Sequence, residues 1–263
     1  MSTLSYAVAD SATMVRRQFR HMLRYPSLTL QLAGMPIVFL LLFVYVFGGT
    51  LGAGLGGASG GRAEYVNYVA PGILLMTVAA AAQGTAISVA MDMTEGIIAR
   101  FRTMAIARVS VLTGHVVGSM VQTMLSMALV IGVALLIGFR PTASPVEWIL
   151  TAGVLAMTTF ALIWLTVALG MVSKTVESAS NIPMPLVFLP FLGSGFVPTE
   201  SMPTGLRWFA EYQPFTPIIE TIRGLLMGTP IGNSGVLAVA WCAGITAVGY
   251  LWAKKLFNRD PSR

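Results

Sequence analysis

Six stretches of this chain, residues 27–49, 68–90, 109–138, 148–172, 179–197 and 235–253, contain no Asp, Glu, Lys or Arg. About 20 apolar residues in helical form suffice to cross the hydrocarbon of a bilayer. A helix also satisfies its own backbone hydrogen bonds there, where no water can. The chain therefore reads as an all-α integral membrane protein with six transmembrane helices, forming a single domain over residues 1–263. Composition agrees: charged residues are 10% of the chain and the mean hydropathy is +0.78, whereas roughly a quarter of a soluble domain is charged.

The basic residues set an orientation. Arg16, Arg17, Arg20 and Arg24 precede the first span, Arg100, Arg102 and Arg108 separate the second from the third, Lys174 follows the fourth, and Lys254, Lys255, Arg259 and Arg263 follow the sixth. These are twelve of the sixteen Lys and Arg residues, and they fall on one side; Arg62, Arg140, Arg207 and Arg223 fall on the other. The positive-inside rule puts both termini in the cytoplasm. The net charge of +6 then reports topology, and no nucleic-acid partner is expected.

Before the first span, Met14, Val15, Phe19, Met22 and Leu23 share one helical face, while Arg16, Arg17, Arg20 and Arg24 lie largely on the other. Residues 11–25 are expected to form an interfacial amphipathic helix on membrane lipid, ended by Pro26. The Arg-Arg-Gln-Phe run from Arg16 to Phe19 looks like part of an export signal, but the apolar run after it has the length of a full span.

A single cysteine, Cys242, excludes an internal disulfide. Two histidines, His21 and His115, argue against a metal site built from His and Cys. The glycine-rich loop at residues 48–61 lacks the Gly-Lys-Ser/Thr ending that cradles phosphate. Gly114 and Gly118 in span three have the spacing of a close helix contact. Span five carries Pro183, Pro185 and Pro190, each removing a backbone donor. It reads as a kinked but buried helix, or alternatively as a flexible element lining a pathway. His115 reads as a hydrogen-bonded packing residue.

Residues 198–234 are too polar to span but rich in apolar residues, and they fit external amphipathic or re-entrant helices. The first lies near Thr204 to Tyr212. The second takes Thr216 as N-cap, with Glu220 and Arg223 spaced as an ion pair.

Between spans two and three, residues 91–108 hold five charged side chains. Asp92 and Glu95 have the spacing of an N-terminal cap. After them Ile97, Ile98, Phe101, Met104 and Ala105 recur at helical spacing, with Arg100, Arg102 and Arg108 elsewhere on the circumference. A short cytoplasmic helix fits, serving as a docking surface for a partner; the plainer alternative is a positive loop that fixes topology and rests on lipid.

The run from Glu64 to Val117 resembles the membrane subunits of type-2 ABC exporters, especially those of the daunorubicin-resistance type. Glu64, Tyr65, Ala70, Pro71 and Gly72 match the entry to their second span, and Glu95, Gly96, Arg100 and Arg102 match their first cytoplasmic loop. Residues 195–226 are similar to their external segment, with Pro198, Pro203, Trp208, Pro214, Glu220 and Arg223 in order. The loop departs from the family in being less charged near Ile98.

The resemblance implies a permease subunit in a bacterial-type plasma membrane, moving a hydrophobic or amphipathic compound outward. A separate cytoplasmic ATPase carries the ATP and Mg; this chain has no cofactor, metal or catalytic residue of its own. Residues 92–105 become the coupling helix, with Asp92, Glu95, Gly96, Ile97, Arg100, Phe101 and Arg102 at the ATPase and Arg16, Arg17, Phe19 and Arg20 flanking the same interface. A second copy of the chain, or a paralogous permease, completes the pathway. Trp208, Phe209, Phe215, Glu220 and Arg223 form an external gate.

Two readings from other classes compete. A secondary transporter or channel has only Gln83, Gln122, Asn181 and span hydroxyls to build an ion site from, and proton-coupled carriers need ionisable groups in the membrane. An intramembrane enzyme needs clustered nucleophiles and bases, which the sequence does not offer.

Overall fold

The structure is a computed structural model describing residues 26–55, 61–94 and 108–257. The expected interfacial helix at residues 11–25, and the loop residues Glu95, Gly96, Ile97, Arg100, Phe101 and Arg102, lie outside the described residues. The described residues are helical, with no strand among them.

Five helices are long and apolar enough to cross a bilayer. The first, α1, runs over Pro26–Leu42, passes through a π-helical turn at Phe43–Phe47 and continues over Gly48–Ala53. Helices α2 (Arg62–Thr94), α3 (Arg108–Leu136) and α4 (Pro145–Val172) follow, and α9 (Ser234–Phe257) ends the described residues. Helices α2 and α4 are the enclosed pair; α1, α3 and α9 keep most of their surface outward. Buried threonines do not break the apolar packing. Thr77, Thr85, Thr158, Thr159 and Thr166 each donate to the carbonyl four residues back, so their hydroxyls are satisfied inside their own helix.

Helix α4 starts three residues before the apolar run does. Ser144 caps it: its Oγ accepts from the Glu147 N–H at 3.4 Å, the Glu147 carboxylate accepts from the Ser144 N–H at 2.6 Å, and Pro145 takes the first helical position. This reciprocal cap satisfies two otherwise orphaned donors.

The fifth apolar segment is not one helix. It forms α5 (Val176–Asn181) and α6 (Met184–Phe188), then a series of turns to Val197. Pro183, Pro185 and Pro190 explain the break, since each lacks an N–H and clashes with the preceding turn. Nor is the segment fully buried: Ile182, Met184, Phe188 and Leu192 are exposed. It nevertheless climbs alongside α2 in the opposite direction. Ser180 is bonded to Gln83 and Phe196 to Tyr65, two positions on α2 separated by ~27 Å at about 1.5 Å rise per residue.

Two shorter helices follow, α7 (Thr204–Tyr212) and α8 (Phe215–Met227), joined as a tight hairpin after a 3-10 turn at Thr199–Ser201. Helix α7 falls where the sequence predicts it. Helix α8 begins earlier than expected, with Thr216 inside its first turn and Pro214 at the cap position.

Candidate functional site

The break in the fifth segment leaves backbone groups without helical partners, and burial makes each one costly to leave unpaired. The structure supplies those partners from polar side chains of α2 and of the α7–α8 hairpin. Gln83 Nε2 donates to the Ser180 carbonyl at 2.7 Å, and Tyr65 Oη donates to the Phe196 carbonyl at 3.2 Å. Gln213 Nε2 donates to the Leu189 carbonyl at 3.2 Å, and Thr216 Oγ1 accepts from the Ser194 N–H at 3.4 Å. Arg223 Nη2 donates to the Ser194 carbonyl at 2.6 Å. Thr216 is thus a tertiary tie rather than a helix cap, and its hydroxyl donates in turn to the Ala210 carbonyl.

Arg223 is the most heavily engaged of these residues. It is 8% exposed; Nη1 meets Glu220 Oε1 at 2.5 Å, and Nη2 also donates to the Tyr68 carbonyl at 3.1 Å. Its guanidinium carbon lies 3.8 Å from the centre of the Tyr68 ring, within the range of a cation–π contact. A guanidinium suits this position because its planar fork donates in several directions at once.

Where α2 meets the break, the contact is made by backbone. Gly72 and Gly195 approach so closely that a Cβ on Gly72 would lie 2.4 Å from the Gly195 carbonyl oxygen. Tyr65 and Gly72, two residues of the span-two entry motif, therefore both act on the broken segment.

The five expected gate residues do not form one surface. Trp208 is 66% exposed and packs its ring 5.3 Å from that of Tyr212, and Phe209 is also exposed. Arg207 and Glu211 pair at 2.7 Å along the same helix. Phe215 is 1% exposed and sits on the core face of α8. Glu220 and Arg223 do pair, but as part of the internal tie.

Asp92 also departs from expectation. It lies in the last turn of α2 rather than capping a following helix, and its Oδ2 is 2.9 Å from His115 Nε2 on α3. A carboxylate there opposes the helix dipole, and the imidazole offsets it. The pair joins the stems on either side of the basic loop.

A cluster of rings joins α1 to the broken segment. Phe39 and Phe43 of α1 meet Phe191 and Phe196 of the broken segment, with Phe191 and Phe196 stacked at 4.2 Å and Phe43 at 4.7 Å from Phe196, and Phe47 packs on Phe43. The repeat of Phe every four residues in α1 was the available signal. Among the described residues no group of His, Cys, Asp and Glu could hold a metal.

The family model for the ABC-2 type transporter matches residues 11–227. The daunorubicin resistance ABC transporter permease protein DrrB1 of Streptomyces coeruleorubidus is 27% identical over 243 residues, covering 92% of this chain and 83% of that protein. The probable doxorubicin resistance ABC transporter permease protein DrrC of Mycobacterium tuberculosis is 25% identical over 166 residues, covering 62% of this chain and 59% of that protein.

Proposed function

Because the chain belongs to the ABC-2 type transporter family, we propose that it is the permease subunit of an ATP-driven exporter for hydrophobic or amphipathic, drug-like compounds. It is a multi-pass protein of the bacterial inner membrane, and it works as a transport subunit. The cargo class rests on the relatives, whose names are those of daunorubicin and doxorubicin resistance permeases.

In this reading the chain crosses the membrane six times, five as helices and once as the broken segment, with both termini in the cytoplasm. The break supports it most directly: a crossing held by side-chain bonds can rearrange at its outer end with fewer bonds to exchange than a continuous helix. The α7–α8 hairpin bonded to that end is the outer gate. At the other end of α2, the loop after Asp92 meets a separate ATPase that supplies ATP and Mg. Glu95, Gly96, Ile97, Arg100, Phe101 and Arg102 make that contact, flanked by Arg16, Arg17, Phe19 and Arg20. A second copy of the chain, or a paralogous permease, faces it across the pathway.

Purification of the chain from native membranes in mild detergent, followed by mass spectrometry, tests this. A near-stoichiometric ATPase that is lost when Glu95 and Phe101 are both replaced is the expected result. Absence of any ATPase after gentle cross-linking, in a chain that still transports, rejects the partner and with it the exporter assignment.

A further inference from the structure

We infer that Arg223 is the releasable latch of the outer gate, a positioning residue that holds the α7–α8 hairpin and the broken segment against α2 until transport opens them; this rests on the exporter reading above.

The polar ties fall into two groups. Gln213 to Leu189 and Ser194 to Thr216 join the hairpin to the outer part of the broken segment, so these pieces form one unit. Arg223 belongs to both groups, because it also reaches Tyr68 on α2. Among the described residues, only two side-chain hydrogen bonds tie the outer part of that unit to α2: Arg223 to Tyr68 and Tyr65 to Phe196. Beside them lies the Gly72 and Gly195 contact, where backbone meets backbone and the Ile219 side chain packs against Gly195. The rest of the contact is apolar, with Ile218, Ile219 and Ile222 of α8 buried in the same core as Tyr65, Val69 and Ile73 of α2; apolar contact is non-directional, so the directional polar ties set where the hairpin sits.

The charge arrangement favours release. Glu220, the counterion of Arg223, sits on the same helix, and its side chain is 38% exposed. When α8 leaves α2 the ion pair travels with it, and only a neutral carbonyl and a ring stay behind at Tyr68. A charge partner on α2 would instead be left bare, which is costly. Arg223 Nε and Ser194 Oγ are both buried with no hydrogen-bond partner among the described residues, so the closed arrangement is tight without being fully satisfied. The far end of α8 keeps its own anchor, the Thr142 N–H to the Leu226 carbonyl at 3.0 Å, just before the left-handed turn at Gly228. That anchor is the pivot.

Ser194 supplies the reporter. Its hydroxyl has no partner, so Ser194→Cys is a mild change that leaves the carbonyl bonded to Arg223 in place. The full chain, reconstituted with its ATPase, is treated from outside with a membrane-impermeant maleimide. The parent chain, whose one cysteine, Cys242, is buried, gives the background.

With Arg223 present the thiol at position 194 should react slowly, and faster when ATP and doxorubicin are added. In Arg223→Met it should react on the order of tenfold faster without ATP, because the loss of even a few multiples of RT shifts a two-state closure by that factor. Arg223→Lys should fall between, lowering the maximal transport rate while leaving the half-saturating cargo concentration unchanged. If Arg223→Met does not reach the membrane, Arg223→Lys and Glu220→Gln carry the test, both with raised labelling. Unchanged labelling in these variants, in complexes that still export, overturns the latch alone. So does a changed half-saturating concentration with an intact maximal rate, which makes Arg223 a cargo contact. Labelling that follows Arg223 but ignores ATP and doxorubicin overturns the exporter reading, and release by transport falls with it.

Discussion

Gly72 and Gly195 meet backbone to backbone at the point where α2 faces the broken segment, with the Cα of Gly72 only 3.3 Å from where a Cβ on Gly195 would stand. Neither position has room for a side chain. Gly72→Ala should therefore destabilise the protein by about 1–3 kcal/mol through overpacking. Gly84, on the same helix with open space around it, should tolerate alanine or gain slightly from better helix propensity. Thermal loss of monodispersity in detergent separates the two outcomes.

The packing of α9 on α4 makes a parallel demand. A Cβ on Gly249 would lie 2.6 Å from the Leu165 backbone nitrogen, whereas Gly244 has nothing within 4 Å. Gly249→Ala should lower the melting temperature clearly, and Gly244→Ala should leave it within error. Equal effects at the two positions would remove close backbone approach as the reason for glycine at 249.

Removing one tie without disturbing a ring isolates the hydrogen bonds to the break. Tyr65→Phe keeps the buried ring but leaves the Phe196 carbonyl without its 3.2 Å donor, and should cost about 1–3 kcal/mol. The same change at Tyr45, which is exposed, should cost nothing measurable. Melting of both variants side by side checks this.

Asp92 and His115 are partly buried, with side chains 19% and 13% exposed, so their contact should carry more than a surface pair does. Asp92→Asn and His115→Gln should each destabilise the protein, and the double variant should cost less than the sum by about 1 kcal/mol. Strict additivity in that cycle would mean the contact contributes nothing.

How far the sequence reaches is visible in particular residues. The continuous helices follow from runs of apolar side chains, because hydropathy and length alone dictate them in lipid. Their ends were less legible: a rule based on charge stops at Glu147, yet Glu147 is part of the cap that starts α4. Three prolines announced trouble in the fifth segment, but not that it would divide into α5, α6 and turns. The partners of its backbone, Tyr65, Gln83, Gln213, Thr216 and Arg223, come from positions up to 131 residues away, and no local pattern encodes such pairings. The burial of Phe215 is not legible for a related reason: helical spacing shows that a face is apolar without showing which neighbour covers it. The pair of Glu220 and Arg223 was readable because it is local.

The measurement that tests the exporter assignment most directly is uptake of doxorubicin, followed by its fluorescence, into inverted membrane vesicles that hold the chain with its ATPase. An ATP-driven permease predicts uptake that requires hydrolysable ATP and persists after a protonophore has collapsed the proton gradient. Uptake that proceeds without ATP and stops with the protonophore would contradict it and make the chain a secondary carrier.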